Sequence, residues 1–403
     1  MTTAHRARGA ILALLLVSGA CANPAASPGG SPRATPDVTP SAVPSPAKSP
    51  SADITADLQA LLDTRREMYG APGGLALFRD GEATWSAMSG TADVEGAPIT
   101  PETRFRIASI TKPIVATLVL RAVDRGELSL DDVVAEVLPG SLRVDPPVTV
   151  RQLLNHTSGV FDYGNEGDPV ADVELLTDPA MKAEVATLLE RYAAGERVIG
   201  PDRVIVALAE VHPRYFAPGT GYHYSNTNYQ LAAMVLEKIS GRSLSDLLRT
   251  DIVEPLRLSH TTIAPPDIAS PELRGYGTSA ADGSLVDLTD DLVAFGNGGN
   301  GGIISTADEL LTIMQAMVSG DLLPAELVED MKTPAMQSYG LGLATYSLTC
   351  GAFFGHEGAV NGTASIAIVS DDGARGVVIA LNLRRGDDPR LPSLADNVLC
   401  GLR

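Results

Sequence analysis

The chain contains 403 residues, of which 30 are Lys or Arg and 49 are Asp or Glu, so its formal net charge is −19. This acidic balance argues against nucleic acid or an anionic membrane surface as the main partner, and an aromatic content of 4% argues against base stacking. With 44% hydrophobic and 20% charged residues, the composition is that of a globular protein with one or two folded domains.

The first 22 residues have the pattern of an export signal. A basic start precedes an apolar run at residues 10–17 that is too short to span a bilayer. Residues 20–22 suit cleavage after Ala22, whereas Cys21 would alternatively be the lipid-modified first residue of an exported lipoprotein. We favour the lipoprotein, because acyl chains on Cys21 would hold a soluble domain at a membrane. The expected location is the outer face of the cell membrane, with attachment only through Cys21, or otherwise secretion.

Residues 23–52 consist mainly of Pro, Ser, Thr and Ala, and we interpret them as an extended linker because they cannot bury a core. A folded domain is predicted at residues 53–403. Helical spacing of apolar residues indicates its first helix, at Leu58, Leu61, Leu62 and Met68.

Strands are predicted at both ends of this domain. Residues 73–90 have the pattern of two short strands around a tight turn at Asp80-Gly81. From residue 111 to about 258 the pattern is mainly helical, and residues 391–403 form a closing helix. Three further apolar runs predict strands, at residues 353–358, 363–370 and 376–383. This order predicts an α+β fold, with a sheet part at about 53–108 and 290–403 and a helical part at about 109–289.

The cysteines are Cys21, Cys350 and Cys400. An exported chain lies where disulfides persist, and assigning Cys21 to lipid leaves an even pair. We therefore predict a disulfide between Cys350 and Cys400; the alternative is two buried free thiols.

Ser109 and Lys112 are the first candidate pair for chemistry, at the start of an apolar helical pattern. Positions i and i+3 lie on one face of a helix, so the hydroxyl and the amine can meet. Backbone N–H groups at a helix start favour developing negative charge, and an enclosed lysine can lose its proton and act as a base. The alternative is a capping serine beside a solvated lysine, since Ser45 and Lys48 in the linker have the same spacing.

Two further groups of residues support the interpretation of Ser109 and Lys112 as a catalytic pair. Tyr224 and Asn226 begin an apolar helical run, where a phenol can pass protons and an amide can hold a substrate carbonyl; the alternative is a cap and turn. His356-Glu357-Gly358 lies on a predicted strand, where glycine lets a ligand backbone approach closely; the alternative is a bulge with a surface histidine.

In this order, Ser109-Ile-Thr-Lys112, Tyr224-Ser-Asn226 and His356-Glu-Gly358 resemble the three signatures of the penicillin-recognising serine hydrolases. The combination is most similar to the branch that holds class C β-lactamases, exported D-Ala-D-Ala carboxypeptidases and related esterases. The resemblance covers roughly residues 57–402. It implies a β-lactamase-like fold, in which an antiparallel sheet flanked by helices and a mainly helical domain enclose the site in a cleft.

The resemblance also implies the roles of individual residues. Ser109 would attack a carbonyl carbon and form an acyl-enzyme, with Lys112 and Tyr224 moving the protons; which of the two is the base is left open. Asn226 would hold the substrate amide, and His356, Glu357 and Gly358 would line the substrate site. The backbone N–H groups of Ser109 and Ala359 would form an oxyanion hole. No metal or cofactor is needed.

Glu357 departs from the family pattern, which usually has Thr or Ser at this position. A carboxylate there would repel a substrate carboxylate. We therefore expect Glu357 to disfavour D-Ala-D-Ala ends and β-lactams, and to favour esters or amine-bearing peptides.

Other motifs are discounted. Gly296, Gly298 and Gly301 match a dinucleotide fingerprint, but a capping box from Thr306 to Glu309 opens the following helix, so a loop at the site is the better interpretation. His156 is interpreted as a structural, hydrogen-bonded histidine rather than a metal ligand. The remaining histidines lack metal-ligand spacing, which applies to His212, His223 and His260.

The leading prediction is an exported serine hydrolase that resembles a D-alanyl-D-alanine carboxypeptidase and acts on a small peptide. A class C-like β-lactamase and a carboxylesterase of the same fold are the close rivals, with a β-lactam or an ester as substrate. A catalytically silent envelope-binding protein is the alternative from another class. The joint presence of Ser109, Lys112, Tyr224 and Asn226 argues against that alternative.

Overall fold

The computed structural model describes residues 54–402, apart from residues 143–145, 195, 197, 264–271, 280, 290–292, 296–297, 361 and 385–389. The predicted export signal with Cys21 and the predicted linker lie outside the described residues. In the described part of the chain, no helix is both long enough and apolar enough to cross a membrane.

Strands lie at both ends of the described chain, as the sequence predicts. In chain order they are β1 (Gly73–Asp80), β2 (Ala83–Gly90), β3 (Phe105–Arg106), β4 (Val198–Gly200), β5 (Thr262–Ile263), β6 (Tyr276–Thr278), β7 (Leu285–Asp287), β8 (Val293–Phe295), β9 (Ile303–Ser305), β10 (Ala344–Leu348), β11 (Gly351–Val360), β12 (Thr363–Ser370) and β13 (Arg375–Leu381).

Helices lie before, between and after these strands. They are α1 (Ile54–Tyr69), α2 (Thr111–Asp124), α3 (Val134–Val137), α4 (Val150–Leu154), α5 (Tyr163–Glu166), α6 (Pro169–Asp172), α7 (Pro179–Ala193), α8 (Asp202–Glu210), α9 (Asn226–Ser240), α10 (Leu244–Leu248), α11 (Ala307–Ser319), α12 (Ala325–Lys332) and α13 (Leu391–Gly401). Short 3₁₀ turns occupy Ala108–Ile110 and Val173–Leu175, and a π-helical segment occupies Arg249–Val253.

The main sheet has six antiparallel strands in the order β10-β11-β12-β13-β1-β2. The predicted hairpin of β1 and β2 is confirmed, and its turn uses Gly81 at φ +60°, a conformation that glycine adopts without strain. The last strand in sequence, β13, pairs with the first, with Gly74 opposite Leu381. This pairing brings the two ends of the described chain into one sheet.

Each face of the main sheet packs against helices. One face buries residues such as Ile366 and Ile379 against α1 and α13, and the other buries Ala367 and Val378 beside α11 and the helical region. Because successive residues of a strand point to opposite faces, β12 and β13 are apolar at nearly every position. The expected α+β fold is confirmed.

The first helix differs from the expectation at one residue. Leu58 and Leu62 are buried, but Met68 is 76% exposed and Tyr69 is buried in its place. At 100° per residue, seven positions after Leu62 return to the same side of a helix, whereas six positions do not. Tyr69, not Met68, therefore completes the buried stripe of α1.

The predicted capping box at the start of α11 is only half formed. The Thr306 side chain accepts a hydrogen bond from the Glu309 N–H, as expected. The Glu309 carboxylate does not return to the Thr306 N–H; it accepts from the Ser259 and His260 N–H groups and from the Thr261 hydroxyl. Glu309 thus ties the loop before β5 to α11.

A disulfide joins Cys350 to Cys400, with a Cα–Cα distance of 5.4 Å. Cys350 immediately precedes β11, and Cys400 lies in the last turn of α13. The bond therefore fastens the C-terminal helix to the beginning of the strand that carries His356-Glu357-Gly358.

Small strand pairs outside the main sheet are not predicted by the sequence. They comprise the parallel pair β4–β8, the hairpin β6–β7 and the group β3-β9-β5. Strands of two or three residues show no hydrophobic period, so tertiary contacts decide them.

Candidate active site

Ser109 lies in the 3₁₀ turn Ala108–Ile110, immediately before α2. It is partly exposed, whereas Ala108 and Ile110 on either side are buried. Ala108 has φ +51°, which is uncommon for a residue with a Cβ and is often found at functional sites. The Ile107 N–H donates to Ile303 of β9, so the turn is held against the main body of the protein.

Lys112 is fully buried at the start of α2, and its amine meets three oxygen atoms. The Nζ atom lies 2.9 Å from Ser109 Oγ, 2.8 Å from Asn226 Oδ1 and 2.8 Å from the Asn300 carbonyl oxygen. The side chains of Ser109 and Lys112 therefore meet, as their spacing predicts.

These partners of Lys112 are not equivalent. The oxygens of Asn226 and Asn300 can only accept hydrogen bonds, whereas the Ser109 hydroxyl can also donate one. A neutral amine has two hydrogens and one lone pair. If the hydrogens point to Asn226 and Asn300, the lone pair points to Ser109, which is the arrangement that a base needs to remove the hydroxyl proton.

Asn226 is the first residue of α9 and is held by Asp162, a residue that no sequence motif marks. The Asp162 Oδ1 atom accepts from the Asn226 backbone N–H at 2.8 Å and from its Nδ2 at 3.2 Å. This contact directs the Asn226 Oδ1 atom toward Lys112. Asp162 is 2% exposed, and burial raises the pKa of its carboxyl group despite hydrogen bonds from Asn226 and Asn165 and the charge of Lys112.

Tyr224 faces the same group of side chains. Its ring centroid lies 4.9 Å from Lys112 Nζ and 4.4 Å from the ring of His156. Tyr339, which the sequence did not indicate, makes edge contacts with Tyr224 and with His356 at 6.4 and 5.7 Å. Tyrosine and histidine rings thus surround the inner side of Lys112.

His356 lies on β11 and is buried, not on the surface. Its Nε2 atom accepts from the Tyr339 hydroxyl at 3.0 Å, and its Nδ1–H donates to the Glu357 carbonyl. Burial, reinforced by the charge of Lys112, lowers the pKa of His356 to about 3. His356 therefore contributes hydrogen bonds rather than positive charge near neutral pH.

Glu357 is on the opposite face of β11 from His356. In the register with β12 it pairs with Ile366, which packs on the α1 and α13 side, whereas His356 pairs with Ala367 on the helical side. The half-buried carboxylate thus shares its sheet face with Ile366 and not with Lys112. This placement removes the sequence-based reason for expecting Glu357 to repel a substrate carboxylate.

Gly358 packs closely against the backbone before the Ser109 turn. A Cβ at this position would lie 2.2 Å from the Ile107 carbonyl oxygen and 2.7 Å from Ser365 Oγ. The close neighbour is therefore the backbone that leads into the Ser109 turn. Ala359 follows on the strand and is exposed.

The glycine-rich loop lies at the site. A Cβ added at Gly301 would lie 3.6 Å from the carbonyl carbon of Ala108. The neighbouring Asn300 carbonyl oxygen accepts a hydrogen bond from Lys112. Gly296 lies outside the described residues. The interpretation of this segment as a loop at the site agrees with these contacts.

His156 is buried and hydrogen-bonded, in line with the structural interpretation of this residue. Within the described residues, no group of three or more His, Cys, Asp or Glu side chains is arranged to hold a metal ion.

The Beta-lactamase family matches residues 58–399. The chain belongs to this family. The resemblance to the penicillin-recognising serine hydrolases is thereby confirmed at the level of the family, while the catalytic roles of individual residues stay predictions.

Three known proteins illustrate the relationship. Penicillin-binding protein 4* of Bacillus subtilis (strain 168) is 26% identical over 294 residues, which cover 70% of this chain and 60% of the relative. A D-aminopeptidase of Brucella anthropi is 28% identical over 312 residues, covering 75% of this chain and 55% of the relative. This chain therefore matches little more than half the length of each of these two relatives.

A solved structure matches over a larger share. The crystal structure of a D-stereospecific amidohydrolase from Streptomyces sp. superimposes with a TM-score of 0.69 at 30% identity, covering 87% of this chain and 99% of that one.

Proposed function

We propose that this protein is a serine hydrolase that cleaves amide bonds of D-amino-acid amides or short peptides through an acyl-enzyme on Ser109. The observation that carries the proposal is the contact of the buried Lys112 amine with Ser109, Asn226 and Asn300. The D-aminopeptidase and the D-stereospecific amidohydrolase among the similar proteins support a D-configured amide as the substrate.

In the first step, which requires Lys112 in its neutral form, Ser109 Oγ bonds to the substrate carbonyl carbon as its proton passes to Lys112 Nζ. The Asn226 and Asn300 oxygens accept the amine hydrogens and keep the lone pair on Ser109. Negative charge develops on the substrate oxygen, and we assign its stabilisation to the backbone N–H groups of Ser109 and Ala359. Two such donors stabilise the transition state by several kcal/mol.

The tetrahedral species then collapses. The C–N bond breaks, the leaving nitrogen takes a proton, and we assign its delivery to the Tyr224 phenol, which Lys112 recharges. Water attacks the ester carbonyl on Ser109 in the second half-reaction and loses its proton to the same pair of residues. The bond from the carbonyl carbon to Ser109 Oγ then breaks, the proton returns to Ser109 Oγ, and the acyl group leaves as a carboxylic acid. Every proton thus moves between groups that lie around Lys112.

Other substrates of this family remain rivals. The name of Penicillin-binding protein 4* denotes penicillin binding. This relative therefore supports one rival, a penicillin-reactive peptidase that cleaves D-Ala-D-Ala ends. Glu357 is no obstacle to this reading, because it shares its sheet face with Ile366. A β-lactamase and an esterase use the same nucleophile.

A panel of substrates tests the proposal. The purified protein and its Ser109→Ala variant are assayed with D- and L-phenylalanine amides, a D-Ala-D-Ala-terminated peptide, a chromogenic cephalosporin and a short-chain nitrophenyl ester. We expect cleavage of the D-amide in preference to the L-amide, and a loss of at least about 10³-fold in Ser109→Ala. Cleavage of only the dipeptide end, the cephalosporin or the ester would replace the proposed substrate with that rival.

A fluorescent penicillin serves as a second probe in the same experiment. Intact mass would detect an acyl-enzyme on the wild type that is absent from Ser109→Ala. If no probe labels the protein and none is hydrolysed, the result contradicts an enzymatic function and supports a catalytically silent binding protein.

We also propose that the protein is exported and lipid-anchored at Cys21, on the basis of residues 1–22 alone. Growth in labelled palmitate should label the wild type and not a Cys21→Ala variant. An unlabelled protein in the culture medium would indicate secretion instead.

A further inference from the structure

His156 makes two hydrogen bonds on either side of Tyr224. Its backbone carbonyl accepts from the His223 N–H at 3.1 Å, and its Nδ1 atom accepts from the Ser225 N–H at 3.2 Å. One residue, bonded by both its backbone and its side chain, therefore holds the chain at His223 and at Ser225, the residues on either side of Tyr224. The imidazole also packs against the Tyr224 ring, with 4.4 Å between centroids.

The conformation of His156 allows both contacts at once. Its φ is +59°, in the left-handed region that most residues with a Cβ avoid. In this conformation the carbonyl and the side chain of His156 both reach the segment from residue 223 to 225. Such a backbone persists only where surrounding contacts hold it.

A second set of contacts fixes the orientation of the imidazole. The Asn228 Oδ1 atom accepts from the Ser158 hydroxyl at 2.6 Å, so its Nδ2 is the group that faces His156 Nδ1, at 3.1 Å. Two donors, the Ser225 N–H and the Asn228 Nδ2, thus point at one ring nitrogen. Nδ1 must be an unprotonated acceptor, and the ring hydrogen is on Nε2.

We propose that His156 is a positioning residue for Tyr224, and that its unprotonated Nδ1 sets the place of the phenol relative to Lys112 and Ser109. The inference rests on the proposed function, because Tyr224 has a catalytic role only in that reaction. It goes further by giving a buried histidine outside the three signature motifs a defined part in catalysis.

The surroundings of His156 keep the ring neutral. Burial lowers its pKa far below the usual range, and the charge of Lys112 on α2 acts in the same direction. His356 on β11 and His223 lower it further wherever they are protonated. The other titratable groups that face the ring are the phenols of Tyr222, Tyr224, Tyr229 and Tyr339. A proton on Nδ1 would point at the two donors, the Ser225 N–H and the Asn228 Nδ2, and would break both hydrogen bonds.

Two variants separate the acceptor atom from the ring. His156→Asn keeps an oxygen acceptor on Cγ, where Nδ1 is attached, and asparagine tolerates positive φ. His156→Phe keeps a flat ring and removes the acceptor. We expect kcat for the D-amide to fall about 100-fold in His156→Phe, with KM changed less than about 3-fold, and to stay within about 10-fold of wild type in His156→Asn.

Leu399→Ala provides a control for loss of stability. Leu399 is fully buried in the core between α13 and the sheet, on the opposite side of the sheet from His356, and its truncation costs about 2–5 kcal/mol. If kcat is unchanged in Leu399→Ala, destabilisation alone does not explain the loss in His156→Phe.

Hydrogen exchange supplies a readout that needs no substrate. The peptide containing residues 222–229 should exchange slowly in the wild type and in His156→Asn, and faster in His156→Phe. Unchanged exchange and unchanged kcat in His156→Phe would overturn the inference, as would a folded His156→Asn variant as impaired as His156→Phe. An inactive wild type with the expected exchange pattern would contradict the proposed function but not the positioning contact.

Discussion

Gly358 provides a sharp test of how the sheet positions the nucleophile. Replacing it with Ala puts a Cβ 2.2 Å from the Ile107 carbonyl oxygen, whereas ordinary van der Waals contacts begin at 3.4 Å. The two backbones must separate by about 1 Å to accommodate the methyl group. Ile107 lies two residues before Ser109, and its carbonyl also accepts from the Ile110 N–H at 3.2 Å, so the displacement reaches the nucleophile turn directly.

The expected effect is larger on catalysis than on folding. Overpacking of this kind costs about 1–3 kcal/mol of stability, which leaves a typical domain folded at 25 °C. A displacement of about 1 Å at the reacting atoms lowers the rate about 100-fold. We therefore expect kcat of Gly358→Ala to fall about 100-fold.

The assay is hydrolysis of the D-amide, together with the rate of labelling by a fluorescent penicillin. Unfolding in urea measures the change in stability of the same samples. Gly401→Ala is a suitable control for glycine replacement, because a Cβ there meets nothing within 4 Å, and Gly301→Ala tests a site residue whose Cβ would make only ordinary contact at 3.6 Å.

Both control variants should keep kcat within about 3-fold of wild type. A Gly358→Ala protein with wild-type kcat and wild-type stability would refute the argument, since it would mean that the strand and the turn are not in contact. Equal losses in Gly358→Ala and Gly301→Ala would show that any added methyl group near the turn is harmful, and not the specific contact with Ile107.

Two further predictions concern polar groups around Lys112. Asp162→Leu removes the acceptor that orients Asn226 and should lower the free energy of unfolding by about 1–3 kcal/mol and kcat by at least about 10-fold. Asp162→Asn keeps one carbonyl oxygen and should have smaller effects on both. Urea unfolding and D-amide hydrolysis of the two variants check this order. The folded-state pKa of His356 is about 3, below the ordinary value of 6.5. Above pH 6.5 the imidazole is neutral in both the folded and the unfolded chain, so its contribution to stability is fully present. As the pH falls from 6.5 toward 3, only the unfolded chain takes up the proton, and this stability is lost. Wild type should therefore lose stability relative to His356→Gln by up to a few kcal/mol over this range, and parallel stability curves would contradict the pKa.

Local patterns in the sequence account for much of the fold. The alternation of apolar residues and the turn at Gly81 determine the β1–β2 hairpin, and continuous apolar runs determine β12 and β13 because these strands are buried on both faces. The i, i+3 spacing of Ser109 and Lys112 likewise brings hydroxyl and amine together at 2.9 Å. These features depend on residues that are neighbours along the chain.

The remaining site features depend on residues far apart in the sequence. Asp162 carries no motif that marks it as a partner of Asn226, and the contact of Asn300 with Lys112 is made by a backbone carbonyl, which has no sequence signal. Tyr339 meets His356 only because a loop from α12 returns to the sheet.

Glu357 shows the same division most clearly. Its sequence position beside His356 suggested a carboxylate facing the substrate. Successive residues of a strand point to opposite faces, and the register of β11 with β12 puts His356, not Glu357, on the helical side. The sequence by itself determined the family, the main strands and the nucleophile pair, because motif spacing and hydrophobic period are local. Only the tertiary structure decided which groups orient Lys112 and on which face Glu357 lies, because strand register and long-range contacts are properties of the whole packed chain.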